Sequence, residues 1–254
     1  MICTRPKTIT VKQWFFNEEL QTPQFGYQIT VPCGHCPACI STRQKQWFVR
    51  LKFEAERYPN KCSFITLTYD DDHLPADNSV HKDVFQKFIK RLRKYIGKTK
   101  IRYFGCGEYG DLFGRPHYHA IIFGLDPSDC IDYVKDAWTF GFVQLSPVSD
   151  ARLNYVIEYL QKSLDVDYSP REKPFNLCSK GFGLDVFLDN EDLYLSKGYL
   201  SIDGHRMSMP RYYRNNSKFK DLPPDFHNYS PDELRQMEIN FKKRLSLFKK
   251  NGKL

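Results

Sequence analysis

IRYFGCGEYGDLFGRPHYHAIIFG, residues 101–124, is the stretch whose reading decides the fold. Two runs rich in β-branched and aromatic residues, 101–109 and 117–124, flank GDLFGRP, whose glycines and proline suit the connection of a hairpin. The spacing predicts two antiparallel strands. On the second, His117 and His119 lie two residues apart, so they share one sheet face at about 6–7 Å along the strand. Glu108 closes the first strand, and an antiparallel turn sets its carboxylate opposite the histidines. Two imidazoles and one carboxylate suit a divalent ion that keeps positions open for a substrate phosphate oxygen.

Working outward, CSFITLTY (62–69) reads as a buried strand. Residues 40–58 carry Trp47, Leu51, Ala55 and Tyr58 at helical spacing and stop at Pro59. From Ser79, taken as the N-cap, to Gly97 the chain predicts an amphipathic helix with a basic outer face. SDCIDYVKDAW is expected to be a helix, FGFVQLS a strand, and DARLNYVIEYLQKS a helix capped by Ser149 or Asp150. The order α, β, α, β, β, α, β, α implies an α+β fold, an antiparallel sheet with helices packed on it, rather than a doubly wound parallel sheet. Residues 165–200 read as loop-rich, and YLSIDGHRMSM as a hairpin turning at Asp203-Gly204. Ser230, Pro231 and Glu233 form a capping box that opens a C-terminal basic helix with Leu234, Met237, Phe241, Leu245 and Phe248 on one stripe. No linker separates independent domains. Residues 1–254 are expected to form one domain: a Cys-rich segment and helix over 1–58, a catalytic core over 60–165, and an extension over 166–254.

Composition narrows the function. Among 254 residues, 41% are hydrophobic and 15% aromatic, which supports a packed core and argues against disorder. No apolar run is long enough for a membrane span, and MICTRPKTIT lacks the apolar stretch of a secretory signal, so a soluble intracellular protein is expected. A net charge of +8 points to a polyanionic partner. The one Gly-Lys-Thr, at 97–99, has Leu92 where a phosphate-binding loop needs its first glycine, so no helicase motor is encoded.

Eight cysteines in such a chain favour metal binding or buried thiols over disulfides. Cys33, Cys36 and Cys39 in VPCGHCPACI have zinc-ligand spacing, with Gly34 and Pro37 supplying the turns. Cys3 is the expected fourth ligand, because pairing of residues 7–12 with 27–32 brings it near; His35 is the local alternative. Tyr155 and Tyr159 stand four apart on one helix face, with Lys162 further along. A metal, a phenol and a lysine together make a phosphoryl-transfer site with a covalent protein intermediate.

These motifs carry a resemblance. FITLTY with DDDHLP, then GEYGDLFGRPHYHAIIFG, then YVIEYLQK resemble the three ordered motifs of the HUH endonucleases that initiate rolling-circle replication. Most similar are the initiators of small single-stranded DNA phages of the microvirus type, the gokushovirus branch especially, where a CGxCxxC segment also precedes a helix with a Trp and an Arg, here Trp47 and Arg50. The resemblance covers residues 1 to about 215. It implies that His117, His119 and Glu108 bind Mg2+ or Mn2+, that Tyr159, in a YxxK core with Lys162, is the primary nucleophile, and that Tyr155 is the second. It also implies single-stranded DNA at the replication origin as substrate, host helicase and polymerase as partners, and the host cytoplasm as location. Two residues depart from the pattern: Tyr118 between the histidines, and Glu158 where relatives often carry a base. A relaxase or transposase would share the chemistry, and a non-catalytic zinc-dependent nucleic-acid-binding protein is the rival of another class.

Overall fold

The computed structural model describes residues 3–17, 22–110, 114–162 and 167–218, with residue 239. The described residues form two units, one up to Arg43 and one from Gln44 to residue 218. In the first, β1 (Lys7–Asn17) and β2 (Thr22–Val31) make an antiparallel ribbon with Lys7 opposite Val31, so the expected pairing is present and runs longer. α1 (Pro37–Glu56) starts three residues before the expected position 40 and ends at Glu56. Pro37 takes the first helical position, where a missing N–H costs nothing, and the Cys36 carbonyl accepts the first helical bond from Ile40 N–H at 3.0 Å.

The second unit is built on a five-stranded antiparallel sheet. Its strands are β3 (Cys62–Tyr69), β4 (Arg102–Tyr109), β5 (Pro116–Phe123), β6 (Gly141–Pro147) and β7 (Phe175–Cys178), in the spatial order β6-β3-β5-β4-β7. Helices flank it: α2 (Lys82–Tyr95), α3 (Ile131–Ala137) and α4 (Asp150–Lys162). The period of two along each strand divides the core. Ile65, Leu67, Tyr118, Ala120 and Ile122 point to the face where α2 sets Phe85, Phe88, Ile89 and Leu92 and α3 sets Val134 and Ala137. Phe64, Phe104, Ile121 and Phe123 point to the other, against Leu51 of α1 and Leu153, Val156 and Ile157 of α4.

Three expectations are corrected. Ser79 is not the cap of α2: its buried hydroxyl donates to the Asp77 carbonyl and accepts from Glu172 N–H, and His81 holds the N-cap position. Ser128 is drawn to the Asp126 carboxylate, so α3 begins only at Ile131. Residues 165–200 are not simply loop. β7 pairs with β4, and α5 (Leu184–Asp189) and α6 (Glu191–Lys197) follow, each too short to display a helical period. The hairpin at Asp203-Gly204 is present as β8 (Leu200–Ile202) and β9 (His205–Met207), followed by α7 (Arg211–Asn215). The C-terminal helix expected from Ser230 lies outside the described residues.

Sheet and α2 meet most closely at Gly105, where a Cβ would stand 2.3 Å from Phe85 Cζ. Gly105→Ala is expected to destabilise the protein by about 1–3 kcal/mol through overpacking, and Phe85→Leu in the same chain to recover part of that loss, both read by urea unfolding.

Candidate active site and cysteine cluster

Two rows of side chains cross the α4-covered face of the sheet. In one, Phe142, Thr68, His117 and Glu108 stand opposite one another on β6, β3, β5 and β4; in the next stand Gln144, Thr66, His119 and Cys106. The hairpin register thus places Glu108 directly across from His117, while its carboxylate leans to the other histidine. Glu108 Oε1 lies 2.9 Å from His119 Nε2, and both residues are buried. Each imidazole is oriented from behind by a threonine: Thr66 Oγ1 lies 3.0 Å from His119 Nδ1, and Thr68 Oγ1 3.1 Å from His117 Nδ1. With Nδ1 so engaged, Nε2 is the nitrogen each ring offers toward the cleft. Gly110 makes room for His117, whose Nε2 is 2.9 Å from where a Cβ would be.

α4 lays its tyrosines over this floor. One helical turn brings the rings of Tyr155 and Tyr159 to 4.9 Å, edge to face. Tyr159 stacks on His119 at 5.6 Å with planes 13° apart, and Tyr155 Oη reaches to 3.5 Å from His119 Nε2. Their access differs: Tyr155 is 40% exposed and Tyr159 only 5%. Burial, together with the neighbouring Tyr155 hydroxyl and the Glu108 carboxylate, pushes the Tyr159 phenol well above its ordinary value. Burial and the adjacent His119 lower His117, so it is a neutral ligand-type imidazole at pH 7. The cleft enclosed by these groups measures about 550 Å³.

The structure therefore brings together His117, His119, Glu108, Tyr155 and Tyr159. The Lys162 side chain lies outside the described residues. Sequence reasoning missed Thr66, Thr68, Gln144 and Arg152, all of which line the cleft. The first two were visible as polar residues at every second position of FITLTY, on the face opposite Ile65 and Leu67. Glu108 Oε2 is buried with no hydrogen-bond partner, an acceptor that a cation would satisfy. The donors are not drawn tight, however. The imidazole centres are 6.4 Å apart, and among the described residues only the cysteines form a group of three or more donors within 4.8 Å of one another.

That cysteine group is Cys3, Cys33, Cys36 and Cys39, in the first unit, and Cys3 rather than His35 completes it. Tetrahedral zinc with Zn–S bonds of about 2.3 Å holds sulfurs about 3.8 Å apart. Cys33 Sγ and Cys39 Sγ are 3.9 Å apart, and Cys36 Sγ and Cys3 Sγ 3.7 Å. Backbone N–H groups turn inward: Cys33 N–H donates to Cys3 Sγ at 3.2 Å and Cys36 N–H to Cys33 Sγ at 3.3 Å. Such donors hold the Cys33 thiol below its ordinary value. Against a burial that raises it, the N–H groups of Cys39 and Thr4 bring Cys36 down to about 5, whereas burial pushes Cys39 up to about 12. The donor set and its spacing fit zinc.

Comparison with known proteins agrees with this site. Residues 62–164, which hold both rows and the tyrosine helix, match the family model of the ORF2-type replication-associated protein. The chain is 32% identical over 223 residues to the replication-associated protein ORF4 of Chlamydia phage 1, covering 77% of this chain and 55% of that protein. It is 32% identical over 214 residues to the replication-associated protein ORF2 of Spiroplasma virus 4, covering 72% and 66%. It is 29% identical over 227 residues to the replication-associated protein VP4 of Bdellovibrio phage phiMH2K, covering 78% and 70%. The chain thus spans between about half and about two thirds of the length of these relatives. No solved structure matches it.

The lowered His117 value has a consequence for stability. Between the ordinary 6.5 and that lower folded-state value, the unfolded chain binds a proton that the folded chain does not. The destabilisation is absent above that window and sets in as pH falls through it. In chelator-treated protein, urea unfolding is expected to show a larger loss between about pH 7 and about pH 5 for wild type than for His117→Gln. Equal losses would show that His117 titrates normally.

Proposed function

Because this chain belongs to the phage replication-associated proteins, we propose that it nicks and rejoins single-stranded DNA at a replication origin through a 5′-phosphotyrosine, with a fold of the HUH endonuclease type. The observation that carries the reading is two phenols on one helix turn, set against His119 and Glu108 in a single cleft. A phenolic oxygen attacks the phosphorus in line and forms the P–O bond to tyrosine. The bond to the 3′ oxygen breaks, and that oxygen takes a proton to leave as a 3′-OH, the end a host polymerase extends. The second phenol then repeats the exchange at the regenerated junction, which joins the ends without a hydrolytic step.

His117, His119 and Glu108 would hold Mg2+ or Mn2+, which supplies positive charge to the oxygens of the reacting phosphate. The chain's own groups do the remaining work. Thr66 and Thr68 hold the imidazoles in orientation, Arg152 lies at the cleft as a cation for a flanking phosphate, and the apolar floor excludes water. Tyr159, whose hydroxyl faces the Glu108 carboxylate, is assigned the first attack, and Tyr155, at the mouth, the second. Lys162 is assigned a charge-balancing role. The four cysteines would hold one structural zinc, and helicase action would come from a host protein in the host cytoplasm. A zinc-dependent nucleic-acid-binding protein without catalysis leaves the tyrosine pair unexplained.

With labelled origin strand and Mn2+, wild type is expected to give a denaturation-resistant adduct. His117→Ala and His119→Ala should slow its formation roughly 100-fold or more, since groups that only orient metal ligands already cost about 10–100-fold. Tyr159→Phe should lose most of the adduct, Tyr155→Phe should nick but not rejoin, and the double variant should form none. A hydrolysed 5′-phosphate product from the double variant would make water the nucleophile and end the covalent reading. Protein purified without chelator should carry about one equivalent of zinc and release it when Cys36 and Cys39 are both replaced by Ser; less than about half an equivalent, with every thiol reactive, would remove the zinc site.

A further inference from the structure

A second cleft, of about 500 Å³, lies where α2 ends and β4 begins, at the opposite end of β4 from Glu108. Five cationic side chains line it, Arg57, Arg93, Lys98, Lys100 and Arg102, against the single carboxylate of Asp185. Two are already matched: Arg57 pairs with Asp185, and Arg102 with the buried Glu54. Arg93, Lys98 and Lys100 are exposed, and among the described residues none of them has an ion pair. Lys87, further back on α2, shows what an ordinary solvated lysine does, pairing with Asp83 four residues away. The cleft cations differ because they gather around one concavity, where charges within the ~8 Å screening length at physiological salt repel one another. Such a site gains most from a ligand that brings several negative charges at regular spacing.

We propose that this cleft is a second binding site for the phosphates of a DNA strand, separate from the cleft in which the strand is cut. Arg102 and Glu108 are six residues apart on β4, about 20 Å at ~3.3 Å per residue. A stacked strand rises ~3.4 Å per nucleotide, so roughly six nucleotides separate the phosphates held at the two sites. The contact reads no bases. It adds affinity to long strands only, and holds the flanking DNA when the reacting end is exchanged. The site does not depend on the nicking reading, since it needs only that the chain bind DNA.

The test compares wild type with Arg93→Gln/Lys98→Gln/Lys100→Gln, and with Lys98→Gln/Lys100→Gln as the milder variant should the triple one not fold. All three positions are exposed, so thermal unfolding should be unchanged. For a 30-nucleotide strand the triple variant is expected to lose about tenfold or more in affinity, and its plot of log K against log salt to flatten by roughly 2, at about 0.7 per phosphate released. For a strand of about four nucleotides, too short to span the two clefts, affinity should not change. Adduct formation at saturating short strand should match wild type. If no adduct forms with any protein, the nicking reading fails while the binding comparison still decides the cleft. An unchanged salt slope with the long strand, or an equal loss with the short one, would overturn the proposal. So would displacement of the long strand by free tripolyphosphate as readily as by unlabelled DNA, which would make the cleft a small-phosphate site.

Discussion

His119 has both ring nitrogens committed within the protein: Nδ1 lies 3.0 Å from Thr66 Oγ1 and Nε2 lies 2.9 Å from Glu108 Oε1. Three strands meet in that contact, because Thr66 is on β3, His119 on β5 and Glu108 on β4. It forms only if both pairings of β5 are in register, and a slip of one residue would send every one of these side chains into the opposite core. The ring then serves as the surface on which Tyr159 stacks, so the placement of α4 depends on the same register. Site and core are specified together. The alternation that points His117 and His119 to one face points Tyr118 to the other, where its hydroxyl lies 3.0 Å from that of Tyr69 and accepts from His81 N–H at 2.9 Å, tying the start of α2 to the sheet.

Much of this was legible because it rests on short-range periodicity. The run 62–69 coincides with β3, the hairpin strands match within a residue, and the four-residue spacing of Tyr155 and Tyr159 needs only a helix to bring them together. Cys3 was found by extending two strands until their ends met. The missed features are those whose signal is tertiary. β7 is four residues long and becomes a strand by completing the edge of β4, with Phe175 filling the space left by Gly107. Ser79 has good capping chemistry, but Glu172 N–H, far along the chain, competes for its hydroxyl. Arg152 looks like an ordinary first-turn arginine until α4 is laid over the sheet.

The two tyrosines divide burial and access in a way that suits sequential use. An enzyme that forms two covalent bonds in turn must keep one phenol protonated and shielded while the other carries the strand, or the product is attacked before the next site is in place. Tyr159 is held by burial with its proton tightly bound, and Tyr155 covers it edge-on at the mouth. A phosphate reaching Tyr159 must displace the Tyr155 ring, and that movement separates the rings. The edge-to-face contact at 4.9 Å is worth about 0.5–1.5 kcal/mol, small enough for substrate phosphate contacts to break and large enough to keep the pair closed between turnovers. Order of use is then set by which ring the bound strand pushes aside, so Arg152, in the first turn of the same helix, is placed to couple arrival of a flanking phosphate to the opening of the pair.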